Sequence, residues 1–334
     1  MKYIIIILLS FISIHFNSFS QDINPEFRTE DKIKLNEAFI LSEKFGSKIW
    51  RRWADVTFPV LLITDSTEYL IGHSRPSFDF ENTGYDPLLN TEVFSRKRVF
   101  QKNLLATFPA VNNISTVVVG LPENTGKTSI SWIITILHEH FHQYQYSDTE
   151  YNKSVNELEL SGGDSTGMWM LNFPFPYENP EISSQYQQLN IAAYNAAFSN
   201  DAEFKNYFDI YLTERNRFKN LLSEKDYRYF SFQIWQEGLA KYTELKFLEL
   251  MTNENYETKN PDLKLLKDYF TYSEQYQKLL GNIKENSGKL ELGKSKRVCF
   301  YYLGALEGMI LERNNPVWRE RYLVEKFYIE NYFK

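Results

Sequence analysis

The stretch SISWIITILHEHFHQYQY, running from Ser129 to Tyr146, decides how this chain is to be read. Ile130, Ile133, Ile134 and Leu137 recur at helical spacing, so a helix is predicted through Tyr146. His138, Glu139 and His142 write H-E-x-x-H inside that pattern. Residues four apart on a helix differ by about 40° in direction, so His138 and His142 share a face and can hold one ion. Glu139, next to the first ligand, is placed to take a proton from water activated by that ion. One Zn²⁺ is the natural partner of two imidazoles plus a carboxylate. His140 points about 200° away from His138 and reads as a packing or surface residue. The bland alternative is a solvated helix face that happens to carry histidines.

Working outward, residues 31–48 have helical spacing, with Ile33, Phe39, Ile40 and Phe45 as the expected buried set. Residues 59–64 and 68–72 read as two strands joined by a polar turn, and residues 115–119 as a third. Residues 161–182 read as a long ordered loop. Helices are expected at roughly 183–199, 201–222, 226–251, 261–280, 298–313 and 317–332. The fold class is therefore α+β: a small N-terminal sheet with helices, then a mostly helical lobe. The two lobes span about 21–147 and about 183–334 of a single domain, residues 21–334. Residues 1–20 read as a cleaved signal, with Lys2, an apolar core and Ser18-Phe19-Ser20 before Gln21. That predicts an exported protein, periplasmic or secreted, with no stable membrane insertion after cleavage.

Composition narrows the function. A net charge of −6 over 334 residues argues against nucleic acid as a partner. The basic clusters Arg96-Lys97-Arg98 and Lys294-Ser295-Lys296-Arg297 read as solvated surface. The single cysteine, Cys299, forbids an internal disulfide and reads as a small core hydrophobe. Gly120 followed by Gly126-Lys127-Thr128 imitates a phosphate loop, but five residues separate the glycines where four are needed. The abundant tyrosines and phenylalanines allow a glycan-binding reading, although aromatics spread along a chain more often build core.

A third zinc ligand is needed. The longer H-E-x-x-H-x-x-G-x-x-H pattern fails, because Gln145 stands for the glycine and Asp148 for the last histidine. No histidine follows His142, so the third ligand should be a carboxylate. Glu157, Glu159 and Asp164 are near candidates; Glu237 is the far one. Glu237 is favoured because Gly238 and Ala240 would let its helix lie close beside the histidine helix. Glu244, seven residues on, returns to the same face, either to hydrogen-bond a ligand histidine or to pair with Lys241 or Lys246 at the surface.

The residues Trp235, Glu237, Gly238, Ala240, Tyr242 and Glu244 write W-x-E-G-x-A-x-Y-x-E. This resembles the glutamate-ligand helix of gluzincin metallopeptidases, and is most similar to the aminopeptidase-N-like and glycyl-aminopeptidase-like groups. In those groups the glutamate follows the second histidine much sooner, whereas here residues 143–236 intervene. The resemblance implies a thermolysin-like zinc peptidase core, with His138, His142 and Glu237 as ligands and Glu139 as general base. Tyr301-Tyr302-Leu303-Gly304-Ala305 resembles the Y-x-x-G-A segment carrying the transition-state tyrosine of aminopeptidase-N-like enzymes. Aligned on Gly304-Ala305, that residue is Tyr301, with Tyr302 the runner-up; two core aromatics are the plain alternative. Gly120-Leu121-Pro122-Glu123-Asn124 is similar to the G-x-M-E-N strand that receives a free substrate amine, which makes Glu123 a candidate substrate contact. The expectation is an exported zinc peptidase acting on peptide or protein substrates. A metal-retaining binding protein without turnover is the rival class.

Overall fold

The computed structural model describes residues 27–333, so the signal-sequence reading of residues 1–20 lies outside it. The architecture is α+β, as expected. Six strands form one mixed sheet: β1 (Val60–Ile63), β2 (Thr67–Ile71), β3 (Glu81–Asp86), β4 (Thr91–Lys97), β5 (Leu105–Val111) and β6 (Ile114–Gly120), in the order β3-β4-β2-β1-β6-β5. Only β1 and β6 run parallel. Alternation along the strands splits the apolar side chains between two faces. Val60, Leu62, Tyr69, Ile71, Val117 and Val119 join the main helical core. Leu61, Ile63, Leu70 and Val118 form a smaller cluster with Phe80 and Val111, flanked by Phe94, Phe100 and Phe108.

The long helices are α1 (Thr29–Ile49), α2 (Ser129–Tyr146), α3 (Pro180–Phe198), α4 (Asp201–Leu221), α5 (Glu224–Gln233), α6 (Leu239–Asn253), α7 (Tyr272–Lys289) and α8 (Val298–Asn314). Along α1 the buried apolar set is Ile33, Leu35, Ala38, Leu41, Phe45 and Ile49, whereas Phe39 and Ile40 are only half-buried. The main core runs from Phe27 to Tyr332, so the two lobes share it.

The histidine helix α2 is fixed at both ends. Thr128 offers its N-terminus no side-chain cap; instead Asp268 accepts from the backbone N–H and the hydroxyl of Ser129, both at 2.7 Å. A carboxylate there meets unpaired N–H groups and the positive end of the helix dipole. Trp132 Nε1 donates to Gly120 O at the end of β6, and Gln143 Nε2 donates to Pro59 O and Ser115 O. The sheet and α2 are thereby held in register.

Several expected elements differ. The predicted helix 261–280 is a short turn, Pro261–Lys264, followed by α7, which starts at a Thr271/Glu274 capping box. The predicted helix 317–332 is two 3₁₀ turns, Trp318–Arg321 and Ile329–Phe333, with Phe327 between them at φ 72°. The loop 161–182 holds a short helix, Trp169–Asn172, and the start of α3. The predicted helix 226–251 begins at Glu224, ends at Asn253 and is interrupted by a five-residue π-turn, Ile234–Gly238.

The small residues of the glutamate helix also act differently from expectation. Gly238 meets α8 rather than α2. A Cβ on Gly304 would lie 2.3 Å from Gly238 Cα, and one on Gly238 would lie 2.6 Å from Gly304 Cα. Two glycines thus set how closely the π-turn approaches α8. Gly304→Ala is expected to force the two backbones apart. Overpacking of this kind should lower stability by about 2 kcal/mol or more in urea denaturation. An unchanged midpoint would show that the contact is dispensable.

Candidate metal centre

Two histidines from α2 and one glutamate from the π-turn meet in space. His138 Nε2 lies 3.7 Å and His142 Nε2 3.5 Å from the same oxygen, Glu237 Oε2. One donor atom from each residue falls within 4.8 Å of the others. Both histidines are buried, and the Glu237 side chain is 15% exposed. The π-turn matters here because its wider coil changes where the residues beyond it point, and such turns recur at functional sites.

Each imidazole is oriented by its other nitrogen. His138 Nδ1 lies 2.8 Å from Glu244 Oε1, whose second oxygen accepts from Lys241 Nζ at 2.8 Å. Glu244 thus contacts the histidine and pairs with Lys241 as well, but buried rather than at the surface. His142 Nδ1 lies 2.7 Å from Gln145 Oε1. The Gln145 amide nitrogen faces Trp235 O, Gln236 O and the Tyr322 hydroxyl at 3.1, 3.0 and 2.7 Å, which assigns the amide oxygen to His142. With each Nδ1 engaged in this way, the Nε2 atoms are the ones that face Glu237. Two imidazole nitrogens and a carboxylate oxygen so placed could hold a metal ion.

The electrostatics favour a positive charge between these groups. Burial works against a charged His138, yet hydrogen bonds to Glu237 and Glu244 and the field of Glu139 raise its pKa to about 10. Burial likewise opposes ionisation of Glu237, but the two histidines hold its carboxyl well below the usual range. Glu244 is brought down to about 2, with Lys241 and His138 overcoming its burial. In the ion-free chain a proton on His138 supplies the positive charge, and a cation binding there must displace it.

Glu139 is buried beside the triad without belonging to it. Thr107 Oγ1, on β5, lies 2.8 Å from both Glu139 Oε2 and the Glu139 carbonyl oxygen. Tyr301 stacks parallel to His138 with ring centroids 6.2 Å apart, and its hydroxyl accepts from Arg297 Nη1 at 2.8 Å. Burial first, and then the negative Glu237 beside it, hold the Tyr301 phenol well above its usual pKa, with Arg297 opposing. Arg297 Nη1 is itself 3.6 Å from Glu237 Oε1. Tyr302 packs at the margin of the main core.

The remaining candidates fall away from the cluster. Glu157 is exposed, Glu159 pairs with Arg228 at 3.4 Å, and Asp164 accepts from the Thr166 and Trp169 backbone N–H groups. Glu123 sits in a short helical turn, Pro122–Thr125, instead of the expected strand, and pairs with Arg28 at 2.7 Å. His140 is buried against Phe58, with ring centroids 3.6 Å apart, and burial pushes its pKa down to about 3. Cys299 is buried, with its thiol pushed up to about 12 by desolvation.

Sequence reading missed four neighbours of this site. Thr107 lies on a strand that was not predicted, and Gln145 was read only as a missing glycine. Arg297 belongs to a basic cluster taken for surface. Lys127, from the rejected phosphate-loop pattern, is half-buried and within electrostatic reach of Glu244 and Glu139. Comparisons with protein-family models, with characterised proteins and with solved structures give no match. The site therefore stands on its own geometry.

Proposed function

We propose that this chain is an exported zinc-dependent hydrolase that cleaves peptide bonds on a thermolysin-like catalytic core. The observation that carries the reading is the convergence of His138 Nε2 and His142 Nε2 on Glu237 Oε2, with Glu139 beside them and outside the ligand set. A zinc ion held by that triad supplies Lewis acidity, polarising a carbonyl and making water acidic enough to give up a proton near neutral pH. Glu139 accepts that proton as the water oxygen attacks the scissile carbon. It then passes the proton to the amine nitrogen as the C–N bond breaks. Thr107 keeps the Glu139 carboxylate in place through the hydroxyl contact at Oε2. Arg297 donates to the Tyr301 oxygen, and the phenol, which faces Glu237 in the ion-free chain, would turn its O–H to the carbonyl oxygen as that becomes negative.

A peptide is the substrate that best suits the surroundings. β5 is an edge strand, with β6 on one side and no strand on the other among the described residues. Its Thr107 touches Glu139, so an extended backbone lying along β5 would pass the general base. No described helix is long and apolar enough to cross a membrane.

Protein purified without a histidine tag should contain about one zinc per chain by elemental analysis. It should also cleave members of a peptide library in a chelator-sensitive manner. His142→Ala should lose most of the metal. Zinc content that is equal in parent and His142→Ala would sink the site.

A further inference from the structure

Arg297 has more hydrogen-bonding capacity than the chain uses. Its Nη1 donates to Tyr301 and faces Glu237, while its Nε and Nη2 have no hydrogen-bond partner among the described residues. The side chain is 26% exposed, so it is reachable from solvent. Such solvent-reachable donors can exchange water for an anion, and a guanidinium–carboxylate pair is the stronger contact. Glu237 reaches Arg297 only through Oε1, 3.6 Å from Nη1, which leaves Nε and Nη2 open to an incoming anion.

The charge around the ligand atoms points the same way. Glu139, Glu237 and Glu244 are balanced by Lys127, Lys241 and Arg297, the lysines being coupled to Glu244 and Lys127 also to Glu139. With both histidines neutral as ligands, the loaded site carries the full charge of the ion. The carboxylates beside the triad are already engaged: Glu139 by Thr107, and Glu244 by His138 and Lys241. A substrate amine would find no free acid among them, in contrast to the aminopeptidase pattern the sequence resembles.

We infer that the substrate carries a carboxylate close to the scissile bond and that Arg297 receives it. The inference rests on the zinc-hydrolase reading and adds a substrate class to it. That carboxylate is either the C-terminus of the substrate or an acidic side chain, since a guanidinium grips both in the same two-point manner.

The test uses full-length Glu139→Gln protein loaded with zinc, its metal content measured, and titrated by calorimetry. One probe pair is N-acetyl-alanyl-alanine and its C-terminal amide. The other is N-acetyl-alanyl-glutamyl-alanine amide and its glutaminyl counterpart. In one pair the carboxylate should bind at least about tenfold more tightly than the neutral partner, the usual worth of a charge-assisted contact. The pair that shows the preference identifies its source. Adding Arg297→Met should abolish the preference with zinc content unchanged, and adding Arg297→Lys should retain part of it. Equal binding within both pairs overturns the inference, as does a preference that survives Arg297→Met. Loss of zinc on Arg297→Met also overturns it, since Arg297 would then serve only to support Glu237. Those failures are read with zinc in place in the starting protein; a starting protein that binds no zinc defeats the underlying metal reading instead.

Discussion

Glu139→Gln is expected to keep its zinc while turnover of a peptide substrate falls at least about 100-fold, or roughly 2.7 kcal/mol in the barrier. Glutamine has nearly the same volume, and its amide oxygen can still accept from Thr107, so packing at the base of the site should survive. What disappears is the only function that needs a carboxylate, taking a proton from water and delivering it to the leaving amine. Because Glu139 lies outside the ligand triad, the metal should remain. Measuring zinc and single-turnover cleavage on the same preparation separates the two effects. Cleavage at the parental rate would remove Glu139 from the mechanism whatever the metal content.

Glu237→Ala should produce the largest loss of metal affinity among the carboxylate variants. It deletes a donor atom, and it leaves His138 and His142 with no acid between them. Loss of Glu244 or Gln145 should be milder, about ten- to hundred-fold, because each orients a ligand that remains present. Glu159→Ala and Asp164→Ala should leave affinity unchanged, since both residues serve the loop between α2 and α3. Competition with a chelator of known affinity would give the ranking. If Glu159→Ala or Asp164→Ala proves more harmful than Glu237→Ala, the third ligand has been misassigned.

What could be read from the sequence followed what periodicity and spacing encode. The bounds of α2 were legible because Ile130, Ile133, Ile134 and Leu137 repeat at helical intervals. Three of the four inner strands were legible, β1 and β6 because Val60–Ile63 and Val117–Val119 are continuous apolar runs and β2 because Tyr69-Leu70-Ile71 follows a polar turn; β4 was not read. β3 was not, since its residues Glu81–Asp86 are mostly exposed and polar and its place is set by pairing with β4. β5 was obscured by Pro109, which an edge position tolerates. The break before α7 was written in Thr271 and Glu274 but masked by the apolar residues on either side. At the site, His138 and His142 were legible from motif spacing, and Glu237 from the lack of any later histidine together with the W-x-E-G-x-A-x-Y-x-E resemblance. Arg297 was not, because a guanidinium beside lysines looks solvated until the fold shows where it points. The π-turn leaves no mark in composition, and it determines how Glu237 and the Gln145 network fit together.

The contact between Gln145 and Tyr322 joins residues 177 positions apart, and Tyr322 in turn donates to Trp235 O at 2.8 Å. The support of His142 is therefore finished by a segment far along the chain from α2. Contacts of such long separation close late, because the intervening polymer must first be ordered. If the triad holds an ion as proposed, tight binding requires that the segment around Tyr322 has docked onto Gln145 and Trp235, and metal occupancy then reports that docking.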